Sequence, residues 1–306
     1  MSQNFYSRGK LLITGEYFVL NGSLAFAVPL KLGQNMSVQY LDDNRGELSW
    51  ETKCEKKTWF WAKYELGKIK LIDTSHQSQA KFIQQIFLQI QQLSKVISMG
   101  KSSIKISTNI EFPVNWGLGS SSSLISNLAD WAKVNPYQLL WKVMNGSGFD
   151  IACARSNGPL LYQLKDKPQV EEIQFDKNFL DSIFFIYSGK KQSTQTSIRK
   201  YASFIQGLTK EKDRISDLTG SVATSGTLDE FESYIREHED IISHAIGIPS
   251  LKTHYFNDFE GGVKSLGAWG GDFFMASHAD TNYLQNYFKQ KGYRTIFPYK
   301  KLVYHG

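Results

Sequence analysis

Apolar residues recur along this chain with two different rhythms, and the change of rhythm divides it. In the first third, short apolar runs alternate with turn-forming clusters. Lys10 to Leu20, Met36 to Leu41, Thr58 to Tyr64 and Lys68 to Ile72 read as strands, separated by Asp42-Asp43-Asn44 with Gly46, and by Gly67. From Gln77 to Val96 the positions Ala80, Ile83, Ile86, Phe87, Ile90 and Leu93 fall at helical spacing. Its polar face is glutamine rather than basic, so this helix reads as packing and not as a membrane anchor. Ser102 to Ile110 returns to alternation, with Ile104, Ile106 and Ile110 on one side. A glycine-serine turn follows, then a helix from about Ser121 to Lys133 and a short helix near Tyr137 to Met144. A second glycine-rich turn covers Gly146 to Gly148.

The second half moves differently. Ile183 to Tyr187 is fully apolar, as a buried strand is, and Ser193 to about Ala245 reads as several amphipathic helices. Val263 to Leu266, a glycine loop and Phe273 to Ala276 then form a hairpin pattern, followed by a helix from Thr281 to Gln290 and a strand from Arg294 to Pro298. Strand, helices, hairpin, helix, strand is the split β-α-β order of a ferredoxin-like domain. The expected architecture is therefore α+β with two domains, residues 1–178 and 179–306, the boundary falling between 175 and 182.

Composition agrees with this picture. A length of 306 residues gives each domain enough chain for its own core. Hydrophobic residues at 41% and charged residues at 21% are ordinary for a globular protein. No apolar run approaches the roughly 20 residues that span a bilayer, and the polar start, Met1 to Arg8, does not read as a signal peptide. Cys54 and Cys153 cannot build a disulfide framework and have no Cys or His at metal-ligand spacing, which points to a reducing, cytoplasmic setting. The formal charge of +6 favours acidic partners, but the basic residues are scattered and form no nucleic-acid module. Trp59-Phe60-Trp61 reads as core packing, and Cys153 as a small buried hydrophobe.

Chemistry concentrates in four places. The first is Pro113-Val-Asn-Trp-Gly-Leu-Gly-Ser-Ser-Ser-Ser-Leu124, between a strand and a helix. Gly117 and Gly119 permit backbone conformations closed to other residues. The amides of Gly117, Leu118, Gly119, Ser120, Ser121 and Ser122, together with a helix start, then suit a phosphate group, and the serine hydroxyls suit phosphate or magnesium. No Gly-Lys-Ser/Thr closes the loop, so a lysine must come from elsewhere. Lys10, which opens an apolar strand ending in Gly15-Glu-Tyr17, is one candidate, a surface lysine being the plainer reading. Asp150, after two glycines and at a helix start, is a candidate base or orienting group, or simply a carboxylate favoured by the helix dipole. Lys264-Ser-Leu-Gly-Ala-Trp-Gly-Gly-Asp272 is a glycine-rich turn, by itself as good for a hairpin as for a ligand.

Together, in this order, these segments resemble the conserved blocks of the GHMP kinases. Gly9-Lys-Leu-Leu-Ile-Thr-Gly-Glu-Tyr17 is similar to the first block, Pro113 to Ser123 to the phosphate loop, and Gly267-Ala-Trp-Gly-Gly271 to the third. Gly146-Ser-Gly-Phe-Asp-Ile-Ala152 is similar to the segment holding the family's catalytic aspartate. The resemblance is greatest to the phosphomevalonate and mevalonate kinase branch. It implies a ribosomal protein S5 domain 2-like N-terminal domain, a ferredoxin-like C-terminal domain, and transfer from ATP with Mg2+ to a small acidic substrate, by a monomer or homodimer. It implies catalytic roles for Lys10 and Asp150, and a substrate side at Glu16, Tyr17, Lys190, Ser193, Thr194, Gly267, Ala268 and Gly270. It implies no nucleic-acid or membrane partner. A sugar or amino-acid hydroxyl as acceptor, or a non-catalytic nucleotide- or metabolite-binding role, are the alternatives. Two departures stand out. Tyr137 to Asn145 contains no acid where mevalonate kinases carry a magnesium-binding glutamate, leaving Ser121 as the metal candidate. Leu266 and Trp269 replace a small hydroxyl residue and a glycine, and Trp269 is expected to narrow the site.

Overall fold

A computed structural model describes residues 2–97, 102–189, 200–201, 203–267, 269 and 271–306. The chain packs into two compact units that interleave along the sequence. One takes Met1–Gly9, Leu32–Val114 and Leu118–Arg155; the other takes Lys10–Lys31, Asn115–Gly117 and Ser156–Gly306. The interleaving arises because strand β1 (Ser2–Thr14) and strand β2 (Ala25–Leu41) are long enough to serve both. A succession of domains meeting near residue 178 is a separate matter, and we retain it as a proposal.

In the first unit, β3 (Glu47–Cys54), β4 (Lys57–Glu65), β5 (Lys70–Thr74) and β6 (Ser103–Ile110) join β2 in the order β5-β4-β3-β6-β2. The sheet is mixed: β3 and β6 run parallel, from Leu48 opposite Ile104 to Cys54 opposite Ile110, and the other pairs are antiparallel. A parallel pair needs a crossover, which β4, β5 and helix α1 (Gln77–Leu93) supply. The apolar stripe of α1, with Ile83, Ile86, Phe87 and Ile90, packs with Val38, Leu48, Trp50, Tyr64 and Ile106 of the sheet and Ile125 and Leu128 of helix α2 (Ser120–Ala132). Helix α3 (Pro136–Val143) is capped by Asn135, whose side chain accepts from the amides of Tyr137 and Gln138. Only Phe60 of the Trp59-Phe60-Trp61 run enters this core, while Trp59 is 36% exposed. The strand pleat points alternate residues to opposite faces, so the run could not all be core.

The second unit pairs Ala25–Ala27 of β2 with β7 (Leu160–Leu164), and β7 with β8 (Pro168–Glu172). Its other sheet contains β9 (Ile183–Tyr187), β10 (Gly262–Ser265), β11 (Phe273–Ser277) and β12 (Ile296–Pro298). Their order, β10-β11-β9-β12 and antiparallel throughout, is the ferredoxin-like arrangement anticipated above. Phe184, Ile186, Phe256, Phe259, Phe274, Leu284 and Phe288 form its core. After helix α4 (Phe149–Arg155), which belongs to the first unit, come α5 (Thr209–Thr224) and α6 (Leu228–Ile246). A capping box of Thr227 and Glu230 starts α6. Both cysteines are buried and neither is in a disulfide, and no helix among the described residues is long and apolar enough to cross a membrane.

Candidate active site

The glycine-serine loop has the geometry its composition demands. Gly117 (φ 66°) and Gly119 (φ 95°) both occupy the left-handed region. Gly119 is the N-cap of α2, and the first bond inside the helix runs from the Ser123 amide to the Gly119 carbonyl at 3.0 Å. The amides of Ser120, Ser121 and Ser122 therefore have no acceptor within the helix. No acidic residue occupies the first turn itself, so the helix supplies no carboxylate of its own to its positive end. The hydroxyls differ in availability. Ser122 Oγ donates to Gly119 O, and Ser123 Oγ donates to Gln34 Oε1 at 2.8 Å. The hydroxyls of Ser120 and Ser121 have no hydrogen-bond partner among the described residues. Leu118 is buried, so it can offer a ligand only its backbone.

Both ends of the loop are held. In the first unit, a Cβ on Gly9 would lie 2.9 Å from Leu118 O, so only glycine permits β1 to approach the loop this closely. Ser7 Oγ donates to Ser126 Oγ at 2.8 Å, tying β1 to α2. In the second unit, Trp116 packs among Tyr187, Phe273 and Phe297, and Asn115 Nδ2 donates to Tyr187 OH. The carboxylate of Asp272 lies against Gly117, where a Cβ would collide with it. Gly117→Ala thus combines a clash with a disfavoured backbone. It should cost about 2 kcal/mol of stability, read by denaturant unfolding, and weaken binding of an ATP analogue.

Lys10 is 9% exposed and belongs to the second unit, while Asp150 stands in the first turn of α4 in the first. The turn before α4 is fixed by Gly148 (φ 95°), whose carbonyl accepts from the amides of Ile151 and Ala152. Trp141 Nε1 donates to Gly146 O, securing the same turn from α3.

The Gly-Glu-Tyr segment is built differently from what the sequence implies. The Phe18 amide donates to Glu16 O at 2.6 Å across Tyr17, which has φ 60° and ψ −50°. This is the rare γ-turn of positive φ, strained by about 1–3 kcal/mol in a residue with a Cβ. The Glu16 carboxylate, expected on the substrate side, is wholly buried. Its Oε1 accepts from Lys264 Nζ at 2.6 Å, so what it can present to a substrate is the backbone of its turn. Lys264 Nζ also donates to Glu239 Oε1 at 3.3 Å and to Ser265 O at 2.9 Å. His238 Nε2 accepts the Gly15 amide at 2.9 Å and lies 3.5 Å from Glu16 Oε2. Burial raises both carboxyls and Lys264 opposes it; Glu239, with the longer contact to the ammonium, is pushed up to about 7. Burial, followed by the Lys264 charge, holds His238 well below its usual range, so it is neutral.

Trp269 does not narrow the site. Its indole is 5% exposed and joins Phe18, Tyr201, Ile205, Ile215, Ile242 and Ile246 in a core cluster. Its Nε1 donates to Pro249 O, and its amide donates to Tyr17 OH at 3.0 Å. The side chain anchors the third block by turning away from it. Gly267 (φ 62°) opens that block in a left-handed conformation, whereas Lys190, Ser193, Thr194, Ala268 and Gly270 lie outside the described residues. Sequence reasoning quoted Lys264 and Asp272 without giving them a role, and it missed His238 and Glu239.

No family model and no curated protein sequence matches the chain, but solved structures do. The phosphomevalonate kinase of Streptococcus pneumoniae, in complex with phosphomevalonate and AMPPNP, superposes with a TM-score of 0.70 at 15% identity, covering 96% of this chain and 99% of that one. The mevalonate kinase of Methanococcus jannaschii gives 0.68 at 14% identity, covering 97% of each chain. The galactokinase of Lactococcus lactis, complexed with galactose, gives 0.66 at 14%, covering 100% of this chain and 94% of that one. These proteins belong to one superfamily, and their likeness takes in both sheets. The chain has the fold of the GHMP kinases from end to end.

Proposed function

We propose that this chain is an ATP-dependent kinase of a small acidic molecule, with phosphomevalonate or mevalonate as the leading acceptors. The start of α2 carries the reading: three amides without helical acceptors and two hydroxyls without described partners, reached through two left-handed glycines. That is an anion site of the kind a triphosphate requires. Phosphoryl transfer needs positioning and charge neutralisation more than covalent help. Gly117 to Ser122 hold the phosphates, and Lys10 stabilises charge on the attacking oxygen or the transferring group. Asp150 orients the acceptor and takes any proton it releases. The resemblance assigns the turn at Glu16 and Tyr17, the Lys190, Ser193 and Thr194 segment, and Gly267, Ala268 and Gly270 to the acceptor side.

The donor set suits Mg2+. Among the described residues no cluster of three or more His, Cys, Asp or Glu side chains could cage a metal. Magnesium is usually held through phosphates, waters and one or two protein oxygens. Ser121 supplies a hydroxyl, and the Asp272 carboxylate lies at Gly117. Cys54 and Cys153, buried and outside any disulfide, support a reducing, cytoplasmic setting.

The test is ATP consumption with Mg2+ across a panel of acceptors headed by phosphomevalonate and mevalonate. Galactose and homoserine represent the hydroxyl alternative, which the galactokinase likeness favours. Turnover on a mevalonate-type acid is the expected result. Tight ATP binding without turnover on any acceptor would leave a nucleotide-binding protein and overturn the kinase reading.

A further inference from the structure

We propose that Lys264, Glu239 and His238 are positioning residues, a buried polar cluster that fixes the strained Glu16–Tyr17 turn and the start of the third glycine block as one rigid element. The consequence for catalysis rests on the kinase reading; the conformational claim does not.

Three separate tethers converge on the turn. Gly15 is held by His238 of α6, Glu16 by Lys264 of β10, and Tyr17 by the amide of Trp269 beyond β10. A Cβ on Gly15 would lie 2.7 Å from the Ala25 Cβ, so the turn is also confined from β2. A positive-φ γ-turn at a tyrosine does not persist unless its surroundings over-determine it, and these contacts are what over-determine it here. The cluster is dry. The side chains of Lys264, Glu16 and His238 have no exposed surface, and that of Glu239 is 3% exposed.

Charge makes the arrangement conditional. One ammonium faces two carboxylates, so the cluster is neutral while it retains one proton and negative without it. The groups facing Glu239 are Lys264 and Ser265 of β10 and Glu16 of the first motif, while His238, which precedes it in α6, contacts Gly15 and Glu16. Nearby cation and hydroxyl are already used, and the low dielectric makes the second negative charge costly. Opening the cluster lets Glu239 ionise in water, so the contribution of Glu239 makes opening easier as pH rises towards about 7 and no easier beyond it. His238, neutral when buried, contributes in the opposite sense below its ordinary 6.5.

Hydrogen exchange followed by mass spectrometry tests this on the intact chain. After correction for intrinsic rates, opening of residues 12–19 and 262–267 in the wild type relative to Glu239→Gln should increase about 10-fold per pH unit between roughly pH 5 and 7. His238, which acts in the opposite sense below its ordinary 6.5, is common to both and cancels in the ratio. That ratio should rise in both segments together. Lys264→Met should raise exchange in both at least about 10-fold at constant pH, with Lys264→Arg restoring part of the protection. Residues 80–90 of α1 serve as the internal control and should not change. If Glu239→Gln kept the wild-type pH response, or if exchange rose equally across the whole chain, the proposal would be overturned. The catalytic arm expects Lys264→Met to lower kcat/KM for the acceptor about 10-fold while leaving KM for ATP unchanged, with Lys264→Arg recovering part of the loss. A wild type without phosphotransfer would count against the kinase reading alone, because the exchange result stands without it.

Discussion

Replacing Lys10 with alanine should lower turnover on the true acceptor by about 100-fold or more, with a smaller effect on affinity for an ATP analogue. A charge that acts on the transferring group contributes most where negative charge develops, and less to the ground state. Lys10 is 9% exposed in the buried second half of β1, directly after Gly9, whose missing Cβ allows the strand to meet the phosphate loop at Leu118 O. Asp150→Asn should behave differently according to the acceptor. A hydroxyl must lose a proton, so the loss should again reach about 100-fold with mevalonate. A phosphate acceptor is already ionised near neutral pH, its second pKa being about 6, so the loss with phosphomevalonate should be smaller. Steady-state kinetics on both acceptors, with thermal melting to show that the variants are folded, decides the matter. Wild-type turnover in both variants would remove the assignment of these two residues.

The second large effect concerns pH. Glu239 keeps its proton to about 7 in the folded chain and only to its ordinary 4.5 when unfolded. Between those values the folded state binds more protons, so its contribution is complete below about 4.5 and is lost as pH rises through about 7. Some 2.5 pH units at roughly 1.4 kcal/mol each come to about 3 kcal/mol. His238 works in the opposite sense. Buried and neutral, it contributes stability above its ordinary 6.5 that is lost on acidification, when the unfolded chain takes up a proton. The wild-type profile mixes the two, but the difference between Glu239→Gln and wild type isolates the first. That difference should grow in favour of the glutamine variant by about 3 kcal/mol from roughly pH 4.5 to 7, then level off. Denaturant unfolding across this range measures it, and a pH-independent difference would show that Glu239 ionises normally.

What the sequence disclosed follows from the range over which each signal acts. Helix α1 and strands β9 and β11 were legible because period and turn signals are local, and their bounds agree within a few residues with Gln77–Leu93, Ile183–Tyr187 and Phe273–Ser277. Strand β3 escaped because its inward positions, Leu48, Trp50, Thr52 and Cys54, are only half strongly apolar, and Glu, Ser and Lys fill the other face. The expected strand from Lys10 to Leu20 stops at Thr14, since Gly15 adopts φ 91° and the γ-turn at Tyr17 reverses the chain. At the site, glycine and hydroxyl content announced the loop. Nothing local to α6 marked His238 and Glu239 as partners of a motif 223 residues away. A buried ion pair is visible only when both halves have been placed in space.

Helix α2 is anchored in an unusual manner for a helix whose first turn carries the loop. Its buried face includes Ser122, Ser123, Ser126 and Asn127, and the last three bond to Gln34 or to Ser7. Oily contacts tolerate a small rotation because any apolar neighbour will do. Hydrogen bonds do not, since each fixes an angle as well as a distance. The helix is therefore keyed rather than greased: turning it by even a fraction of a residue breaks several bonds at once. The amides at its tip inherit that angular precision, which allows a loop of small, flexible residues to offer a fixed pattern of donors.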